Sequence, residues 1–262
     1  MMKIFSRKWI LATLLVVVGV GILARLGIWQ LDRLEGRRAF NARVSAEVSQ
    51  QTLSLDANAL SAPGFSAGLP DMDYRKVQVT GEYDPSQQVA LRNQAWNNQL
   101  GVRLLTPLHI QGSDQTVLVD RGWIPEADFK EGKTAQYDEP GLVTVTGVIR
   151  RSDTKPELGR RTDPTPIPGG PRLTEYYMAN VGRIQAEMPY ALLPIFIQET
   201  PDPAWQGPPY RQEVKLDLSE GPHMSYALQW FAFATILGIG YPFYVRREEK
   251  RTSKVTHEIS SN

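Results

Sequence analysis

The stretch "GPHMSYALQWFAFATILGIGYPFYVRREEKR", residues 221–251, decides the fold of this chain. Its 22 residues from Met224 to Val245 carry no charged side chain. A helix of about 20 such residues crosses the roughly 30 Å hydrocarbon layer of a bilayer. Aromatic side chains lie near both ends of the run, where amphipathic rings suit the headgroup zone. The pattern predicts a transmembrane helix over residues 223–245; the alternative is a helix buried in an all-apolar core.

A second apolar run extends from Trp9 to Ala24 and resumes beyond Arg25. Arg25 can extend its guanidinium to the interface while its aliphatic stem stays in lipid. A first transmembrane helix with an extension is therefore predicted over residues 9–34. The alternative is a cleaved signal peptide, because basic residues precede the apolar core. Residues 18–30 contain no A-x-A-like cleavage site, which favours an uncleaved anchor.

Basic residues in the short flanks predict the orientation of the two helices. The tail at residues 246–262 contains five of them, whereas Asp217 to His223 contains no Lys or Arg. The tail is thus expected in the cytoplasm, and two spans place residues 1–8 on the same side. Residues 35–222 then form one external, periplasmic domain, which is long enough for a hydrophobic core of its own.

Composition excludes several classes of protein. The 29 basic and 28 acidic residues give a net charge of +1, which does not support a nucleic-acid partner. Without cysteine the chain has no disulfides and no thiolate ligands, so any metal must bind histidine or carboxylates. Catalytic signatures such as G-x-S-x-G, a phosphate-binding glycine loop and H-E-x-x-H are also absent from the sequence. The sequence therefore identifies no nucleophile and base pair, and an exported hydrolase on a membrane anchor is the least favoured function.

The segment between the helices is predicted to consist mostly of short, β-branched strands bounded by turn residues. Stretches rich in Ser, Pro or Gly at residues 51–72, 153–172 and 200–209 predict long loops. The predicted strands are 74–83, 88–93, 101–110, 115–124, 142–150, 175–180, 193–199 and 210–216, with a short helix at 181–188. The predicted fold class is a membrane α+β protein in which N- and C-terminal transmembrane helices flank an external, mainly antiparallel β domain, sandwich or barrel-like.

Two groups of polar and aromatic residues are candidates for partner contacts. In "LGIWQLDRLEGR", Trp29 and Arg33 are i, i+4 neighbours beside Gln30, so a cation–π pair at headgroup level is expected, or an ordinary interfacial belt. Arg92, Asn93 and Gln94 open a run of polar side chains between two strands. These side chains either satisfy turn backbone groups or orient a ligand or a partner loop.

A third group lies in "VLVDRGWIP", residues 117–125. Gly122 allows a tight bend and Pro125 ends the pairing of the strand. The structural interpretation is an ion pair between Asp120 and Arg121, with Trp123 covering the core of the sheet.

His223 stands at the external end of the second apolar run. At helical spacing it shares a face with Ala227, Trp230, Ala234, Gly238 and Tyr241. Such a stripe of small and aromatic residues admits either a neighbouring helix or a flat ligand such as a porphyrin. A neutral imidazole above it is suited to axial iron ligation. The other interpretation is a solvent-facing histidine at a helix end.

Six motifs occur in one order between the two apolar helices: "LGIWQLDRL", "VQVTGEYD", "VALRNQ", "GVRLLTPL", "VLVDRGWIP" and "HMSYALQWFAFA". In this order they resemble the Surfeit locus protein 1 family of cytochrome c oxidase assembly factors. The resemblance is close over both helices and residues 72–150, and poor over residues 153–172. It implies a chaperone that helps to insert haem a into, or to stabilise it in, the large subunit of the oxidase. A scaffold that holds the nascent subunit without haem is the alternative.

The resemblance also carries over to individual residues. His223 matches the family's candidate haem-ligating histidine, so haem a is the implied cofactor and His223 its axial iron ligand, with Trp230 at the motif's aromatic position. Gly81 and Tyr83 match structural residues. The implied partners are the oxidase large subunit, the haem a synthesis machinery and membrane lipid. Eight residues precede the first apolar run, which favours the bacterial cytoplasmic membrane over the mitochondrial inner membrane.

Overall fold

The computed structural model describes residues 6–154, 162–167 and 169–260, with side chains described as far as Ser253. Three parts of the chain that the sequence analysis mentions lie outside this range: Lys3 of the basic N-terminal flank, the middle of the 153–172 loop and the last two residues of the tail. The chain forms two compact units. A helical unit comprises residues up to Arg43 and from Asp217 onward, and a β unit comprises Val44–Leu216.

In chain order the helices are α1 (Ile10–Ser49), α2 (Ala57–Ser61), α3 (Phe65–Gly68), α4 (Glu126–Lys130), α5 (Val181–Gln185) and α6 (His223–Ser260). The strands are β1 (Leu53–Ser54), β2 (Lys76–Tyr83), β3 (Val89–Trp96), β4 (Gln99–Ile110), β5 (Thr116–Pro125), β6 (Leu142–Arg151), β7 (Glu175–Tyr176) and β8 (Leu192–Glu199). Short 3-10 helices occur at Leu69–Met72, Pro85–Gln87 and Lys133–Tyr137.

Helices α1 and α6 are each long and apolar enough to cross a membrane, judged by length and composition. Their apolar side chains are mostly exposed within the chain; Leu11 and Ile236, for example, are 67% and 68% exposed. A helix in the core of a globular domain would instead bury this surface. The exposure therefore argues against the core-helix alternative for α6.

Both long helices continue beyond the predicted spans. Helix α1 does not stop near residue 34 but runs to Ser49, and α6 begins at His223 as expected and extends to Ser260. Residues 35–49 contain helix formers such as Arg, Ala and Glu and no proline; Gly36 lowers the helix propensity just past the predicted end, but the helix continues through it. The polar part of α1 is thus a direct continuation of its apolar part.

The two long helices pack antiparallel within the helical unit. Thr13 Oγ1 lies 2.7 Å from the hydroxyl of Tyr241. One and two heptads further along α1, Val20 lies against Gly238, and a side chain at Gly27 would overlap the ring of Phe231. Small residues at a helix interface allow two backbones to approach closely, so these positions determine which faces of α1 and α6 meet.

Five strands of the β unit close into a barrel. Each of the neighbours β2–β6, β6–β8, β8–β5, β5–β4 and β4–β2 is hydrogen-bonded, and the β5–β8 pair alone is parallel. Strand β2 alternates exposed and buried residues, as its period-2 pattern predicts. Gly81 lies where β2 meets β4 and closes the barrel, and a Cβ there would be 2.2 Å from the carbonyl oxygen of His109. The structure thus confirms the antiparallel-rich β domain and identifies it as a barrel.

An apolar core fills the barrel. Side chains from all five barrel strands, together with Leu55 and Leu69, contribute to it. Its members on the strands are Val77, Val79, Tyr83, Leu108, Ile110, Val117, Val119, Val145, Ile149, Leu193, Ile195 and Ile197. Full burial of one such aliphatic side chain stabilises the fold by about 1.5–3 kcal/mol. This core explains how a domain without disulfides is stable.

The predicted strand at residues 210–216 is wrong. Only Tyr210 bridges to Trp123, with N–O distances of 2.7 and 2.9 Å. Strand β5 is paired with β8 as far as Asp120, and strand β8 is paired with β6 as far as Glu199. No long free edge therefore remains with which residues 210–216 could pair. The predicted strand at residues 175–180 shortens to Glu175–Tyr176, and the 51–72 loop contains β1, α2 and α3.

Candidate functional site

The start of α6 and the middle of α1 meet at a histidine–glutamine pair. His223 Nδ1 lies 2.9 Å from the side-chain oxygen of Gln30. Gly221 has a φ of +69°, which glycine adopts without strain, and Pro222 follows it. This turn begins α6 at His223 and directs the imidazole towards α1. The contact joins two residues that the sequence placed in separate motifs.

A set of polar contacts, here called the helix clamp, joins α1 to the segment just before α6. Arg38 binds both carboxylate oxygens of Glu220, at 2.8 and 2.9 Å. Arg37 donates from Nε to the carbonyl of Ser219 at 2.9 Å, and Asn41 donates to the carbonyl of Leu218 at 2.6 Å. The clamp holds residues 217–220, and with them the start of α6, against α1.

The stripe of small residues below His223 faces α1. Ala227 is 1% exposed and Ala234 is 8% exposed. Further along the stripe, Gly238 lies against Val20 and Tyr241 contacts Thr13. Of the two interpretations of this stripe, the structure therefore shows the neighbouring helix. In this packing the seam between the helices has no room for a flat macrocycle.

The imidazole of His223 nevertheless fits an axial iron ligand at the rim of the helix pair. An amide oxygen only accepts hydrogen bonds, so with this oxygen facing Nδ1 the contact fits the tautomer that has its proton on Nδ1 and a lone pair on Nε2. Metal-ligating histidines commonly donate their second ring N–H in this way. A Cβ at Gly221 would be 3.7 Å from Nε2, so this glycine keeps a side chain away from that edge of the ring. The residues present therefore fit ligation through Nε2.

The other residues predicted near the membrane do not converge on His223. Trp230 is half-buried and packs edge-on against Phe233, with ring centroids 6.1 Å apart. Trp29 is 46% exposed and Arg33 is also exposed. The expected cation–π contact between Trp29 and Arg33 is not formed among the described side chains, because both project outward from α1. Both remain on a surface that is free for a partner or for lipid.

The amide-rich segment is tied into the β unit. Arg92 pairs with Glu175 at 2.6 Å and with Glu126 at 3.0 Å. Asn93 has a φ of +60° at an irregularity in the β3–β4 pairing. The carbonyl of Gln94 accepts a 2.9 Å hydrogen bond from Trp123 Nε1. These contacts favour a structural role for Arg92, Asn93 and Gln94 over ligand orientation.

Asp120 and Arg121 do not pair with each other, contrary to the prediction from the sequence. Consecutive residues of a strand point to opposite faces, so the two side chains diverge. Asp120 pairs with Arg103 at 2.8 Å, and burial raises the pKa of Asp120 although Arg103 opposes this rise. Arg121 enters the barrel instead. Trp123 is 2% exposed and packs beside Trp96, as expected for a core tryptophan.

Arg121 belongs to a buried polar group at one end of the barrel, here called the barrel-end cluster: Tyr83, Arg121, Glu139, Glu199 and Arg211. Arg121 is fully buried; its Nη2 donates to Glu139 at 2.9 Å, and its guanidinium carbon lies 4.7 Å from the Tyr83 ring centroid. Arg211 connects Glu139 and Glu199, at 3.6 and 2.9 Å. Glu139, Glu199 and Arg211 come from loops and strand ends with no recognisable motif, so the sequence did not predict them.

Burial controls the ionisation of the barrel-end cluster. Desolvation raises the pKa of Glu199 to about 8, and the neighbouring Arg211 guanidinium opposes this rise. The same burial raises the pKa of Tyr83 well above its ordinary value. Glu199 and Arg211 also line a pocket of about 220 Å³, so solvent reaches this edge of the cluster. The cluster is therefore a buried polar part of the barrel in which desolvation raises the pKa of Glu199.

His109 belongs to the barrel framework. Its Nδ1 lies 2.9 Å from Thr116 Oγ1, and its ring packs edge-on against Tyr190. Within the described residues no group of three or more His, Asp or Glu side chains is arranged to hold a metal ion. Side chains beyond Ser253, including that of His257, lie outside the description. Among the described histidines, His223 therefore fits an axial ligand best.

The fold and this site define a class of protein: two membrane-length helices that flank a β-barrel domain, with a histidine at the start of the second helix. The SURF1 family model matches residues 17–235. An uncharacterised SURF1-like protein of Mycobacterium tuberculosis is 29% identical over 93% of this chain and 87% of its own length. The Surfeit locus protein 1 of Xenopus tropicalis is 23% identical over 86% of this chain and 73% of its own length. The chain belongs to the SURF1 family.

Proposed function

We propose that this chain is a cytochrome c oxidase assembly factor. It binds haem a and assists its insertion into, or its stabilisation in, the large catalytic subunit. Membership of the SURF1 family supports the pathway. The observation that carries the haem step is the imidazole of His223, whose Nδ1 lies 2.9 Å from the side-chain oxygen of Gln30, so that Nε2 is left for a metal. The role is that of a chaperone and not of an enzyme.

His223 supplies the coordinating atom, and the rest of the site holds that atom in place. Neutral imidazole is a common axial ligand of haem iron. When bound, haem a would supply an iron centre that accepts an imidazole donor. The helix clamp and the α1–α6 seam fix the start of α6, so that the imidazole is presented at the rim of the helix pair. Because α1 covers the stripe of small residues, His223 at the rim, and not the seam, would hold the group.

We place the protein in the bacterial cytoplasmic membrane with both termini in the cytoplasm. Two membrane-length helices support insertion. The basic residues at 246–254, which follow the apolar part of α6, and the absence of Lys and Arg between Asp217 and His223 support the orientation. Labelling of single cysteines introduced at Ser219 and Ser253 tests it. Only the Ser219 site is expected to react with an impermeant thiol reagent added from outside, and the reverse result would exclude the proposed orientation.

A second candidate function is a scaffold that holds the nascent oxidase subunit and binds no haem. Packing of α1 over the stripe at Ala227 and Ala234 favours it, because that packing accounts for the small residues without any ligand. The exposed side chains of Trp29 and Arg33 offer a contact surface for such a subunit. The two functions differ in their dependence on His223.

Haem content after co-expression with a haem a synthesis system tests the leading function. The full chain is purified in detergent, and bound haem is measured by absorbance and by pyridine haemochrome. Wild type is expected to carry haem a, and His223→Ala is expected to lose most of it. His109→Ala is the matched control, because His109 lies on the exposed face of the barrel in contact with Thr116 and Tyr190, and it should retain haem at the wild-type level.

Equal haem content in wild type and His223→Ala would exclude the ligand role. Oxidase activity of membranes from the same strains then separates the functions. A scaffold retains oxidase assembly in His223→Ala and loses it in Trp29→Ala or Arg33→Ala. A haem-binding factor loses oxidase assembly in His223→Ala and retains it in Trp29→Ala and Arg33→Ala.

A further inference from the structure

The pair Gln30 and His223 spans the two long helices and is more specific than a helix-packing contact. A packing contact requires only complementary shape, whereas this one joins a hydrogen-bond acceptor to one particular ring nitrogen. The side-chain oxygen of Gln30 lies 2.9 Å from Nδ1. Because this oxygen accepts, the contact fits the tautomer with the proton on Nδ1; a reversed amide would donate to Nδ1 and fit the other tautomer.

The surroundings of the pair favour the same geometry. Arg38 and Asn41 hold Glu220 and the carbonyl of Leu218, so the chain is fixed three to five residues before the imidazole. On the Nε2 side the neighbouring residue is Gly221, where a Cβ would be 3.7 Å from Nε2. Nδ1 is therefore held by the side chain of Gln30, whereas Nε2 faces Gly221, which has no side chain.

We propose that Gln30 is a positioning residue for the iron ligand: it holds the proton on Nδ1 of His223 and makes Nε2 the coordinating atom. This inference rests on the proposed haem-binding function. Partners of this kind orient the imidazole and raise the basicity of the ligating nitrogen, and their loss typically weakens metal binding about 10–100-fold. Gln30 itself touches neither the iron nor the macrocycle in this proposal.

The tautomer can be tested without haem. The full chain, labelled with 15N-histidine and purified in detergent, reports the protonated ring nitrogen of His223 by NMR, with His223→Ala used to assign the signal. Wild type is expected to carry the proton on Nδ1. The isosteric variant Gln30→Met is expected to show a mixture or the Nε2-protonated form, and Gln30→Glu, which retains an acceptor, should restore the wild-type signal. An Nε2-protonated His223 in wild type would overturn the inference.

The second readout uses protein loaded with haem a. Gln30→Met is expected to bind haem about 10–100-fold more weakly and to shift the absorbance maximum and the reduction potential. Gln30→Glu is expected to recover affinity. Gln229→Met is the matched control, because Gln229 is an exposed glutamine of α6, and it should behave like wild type.

These outcomes separate the inference from the proposed function. If His223→Ala retains haem, the proposed ligand is wrong, whatever Gln30 does. If His223→Ala loses haem while Gln30→Met keeps wild-type affinity, spectrum and tautomer, only the role of Gln30 is excluded. Rescue by Gln30→Glu but not by a second apolar residue, Gln30→Leu, distinguishes positioning of the imidazole from loss of helix packing.

Discussion

The barrel-end cluster and the helix clamp use the same side-chain chemistry with different consequences. Each pairs arginines with carboxylates at distances near 2.9 Å. In the cluster Arg121 is fully buried, whereas Arg38 of the clamp is about half exposed. Removing one partner of a buried ion pair leaves an uncompensated charge, whereas exposed pairs contribute little. The cluster therefore stabilises the barrel, and the clamp mainly sets the geometry beside His223.

The largest effect is expected from Arg121→Met, which would break the buried side of this comparison. Loss of the guanidinium leaves Glu139 without its 2.9 Å partner, and we expect the free energy of unfolding to fall by about 3–5 kcal/mol. Denaturant unfolding of the full chain in detergent, followed by tryptophan fluorescence, measures it. The double variant Arg121→Met with Glu139→Gln should lose less than the sum of the single losses. Strict additivity would contradict the coupling.

A pH dependence of stability comes next, and it sharpens the comparison because the pKa of Glu199 in the cluster is raised, whereas the pKa of Glu220 in the clamp is lowered by its hydrogen bond to Arg38. The pKa of Glu199 is raised from an ordinary value of 4.5 to about 8. Native Glu199 thus keeps a proton that the unfolded chain has released, so stability falls as the pH rises from about 4.5 through about 8. The slope from this group is at most about 1.4 kcal/mol per pH unit.

Unfolding measured across this pH window should show a smaller slope in Glu199→Gln, because glutamine does not ionise. Glu213→Gln, at an exposed position, is the control and should keep the wild-type profile. If Glu199→Gln retains the full slope, the pH dependence of the unfolding free energy comes from another ionisable group.

An intermediate effect is expected at the seam between the helices. A Cβ at Gly27 would lie 2.6 Å from the ring of Phe231, so Gly27→Ala forces that ring to move and should reduce stability by about 1–3 kcal/mol. A Cβ at Gly21 would meet no atom within 4 Å, and Gly21→Ala is therefore the matched control. Thermal unfolding in detergent compares the two. Equal melting temperatures would show that the helices do not meet at Gly27.

The smallest effect is expected from Arg38→Ala in the exposed clamp. Its pair with Glu220 is solvated, so the melting temperature should change less than in any variant above. Any difference should vanish at about 1 M salt, where the Debye length is about 3 Å. A loss as large as that of Arg121→Met would show that the clamp contributes to stability as strongly as the barrel-end cluster does.

The sequence predicted the framework because each element has a local signal. The uncharged run at residues 224–245 predicted a helix that begins at His223, and the alternating pattern of β2 predicted its buried face. The two wrong predictions arose because they, too, rested on local signals alone. Residues 210–216 have the composition of a strand, but a strand also needs a free neighbouring edge, which composition does not reveal. The first long helix continues through Gly36 and the proline-free residues after it, so it was predicted too short.

The candidate site was only partly predictable. The position of His223 and the family motif identify that residue, whereas Gln30 stands out only within the separate motif "LGIWQLDRL". Their contact joins residues 193 positions apart, so no periodicity connects them. Asp120 and Arg121 were expected to pair because they are adjacent in sequence, yet the alternation of a strand sends them to different partners.

The sequence by itself determined that two apolar helices flank a β domain without disulfides, because segment length, charge and residue alternation are local properties. Only the tertiary structure decided that five strands close into a barrel, that α1 covers the stripe of small residues, and which ring nitrogen of His223 is held. Those outcomes depend on which distant surfaces meet. A hydrogen bond or an ion pair exists only after packing has brought its two partners within about 3 Å of each other.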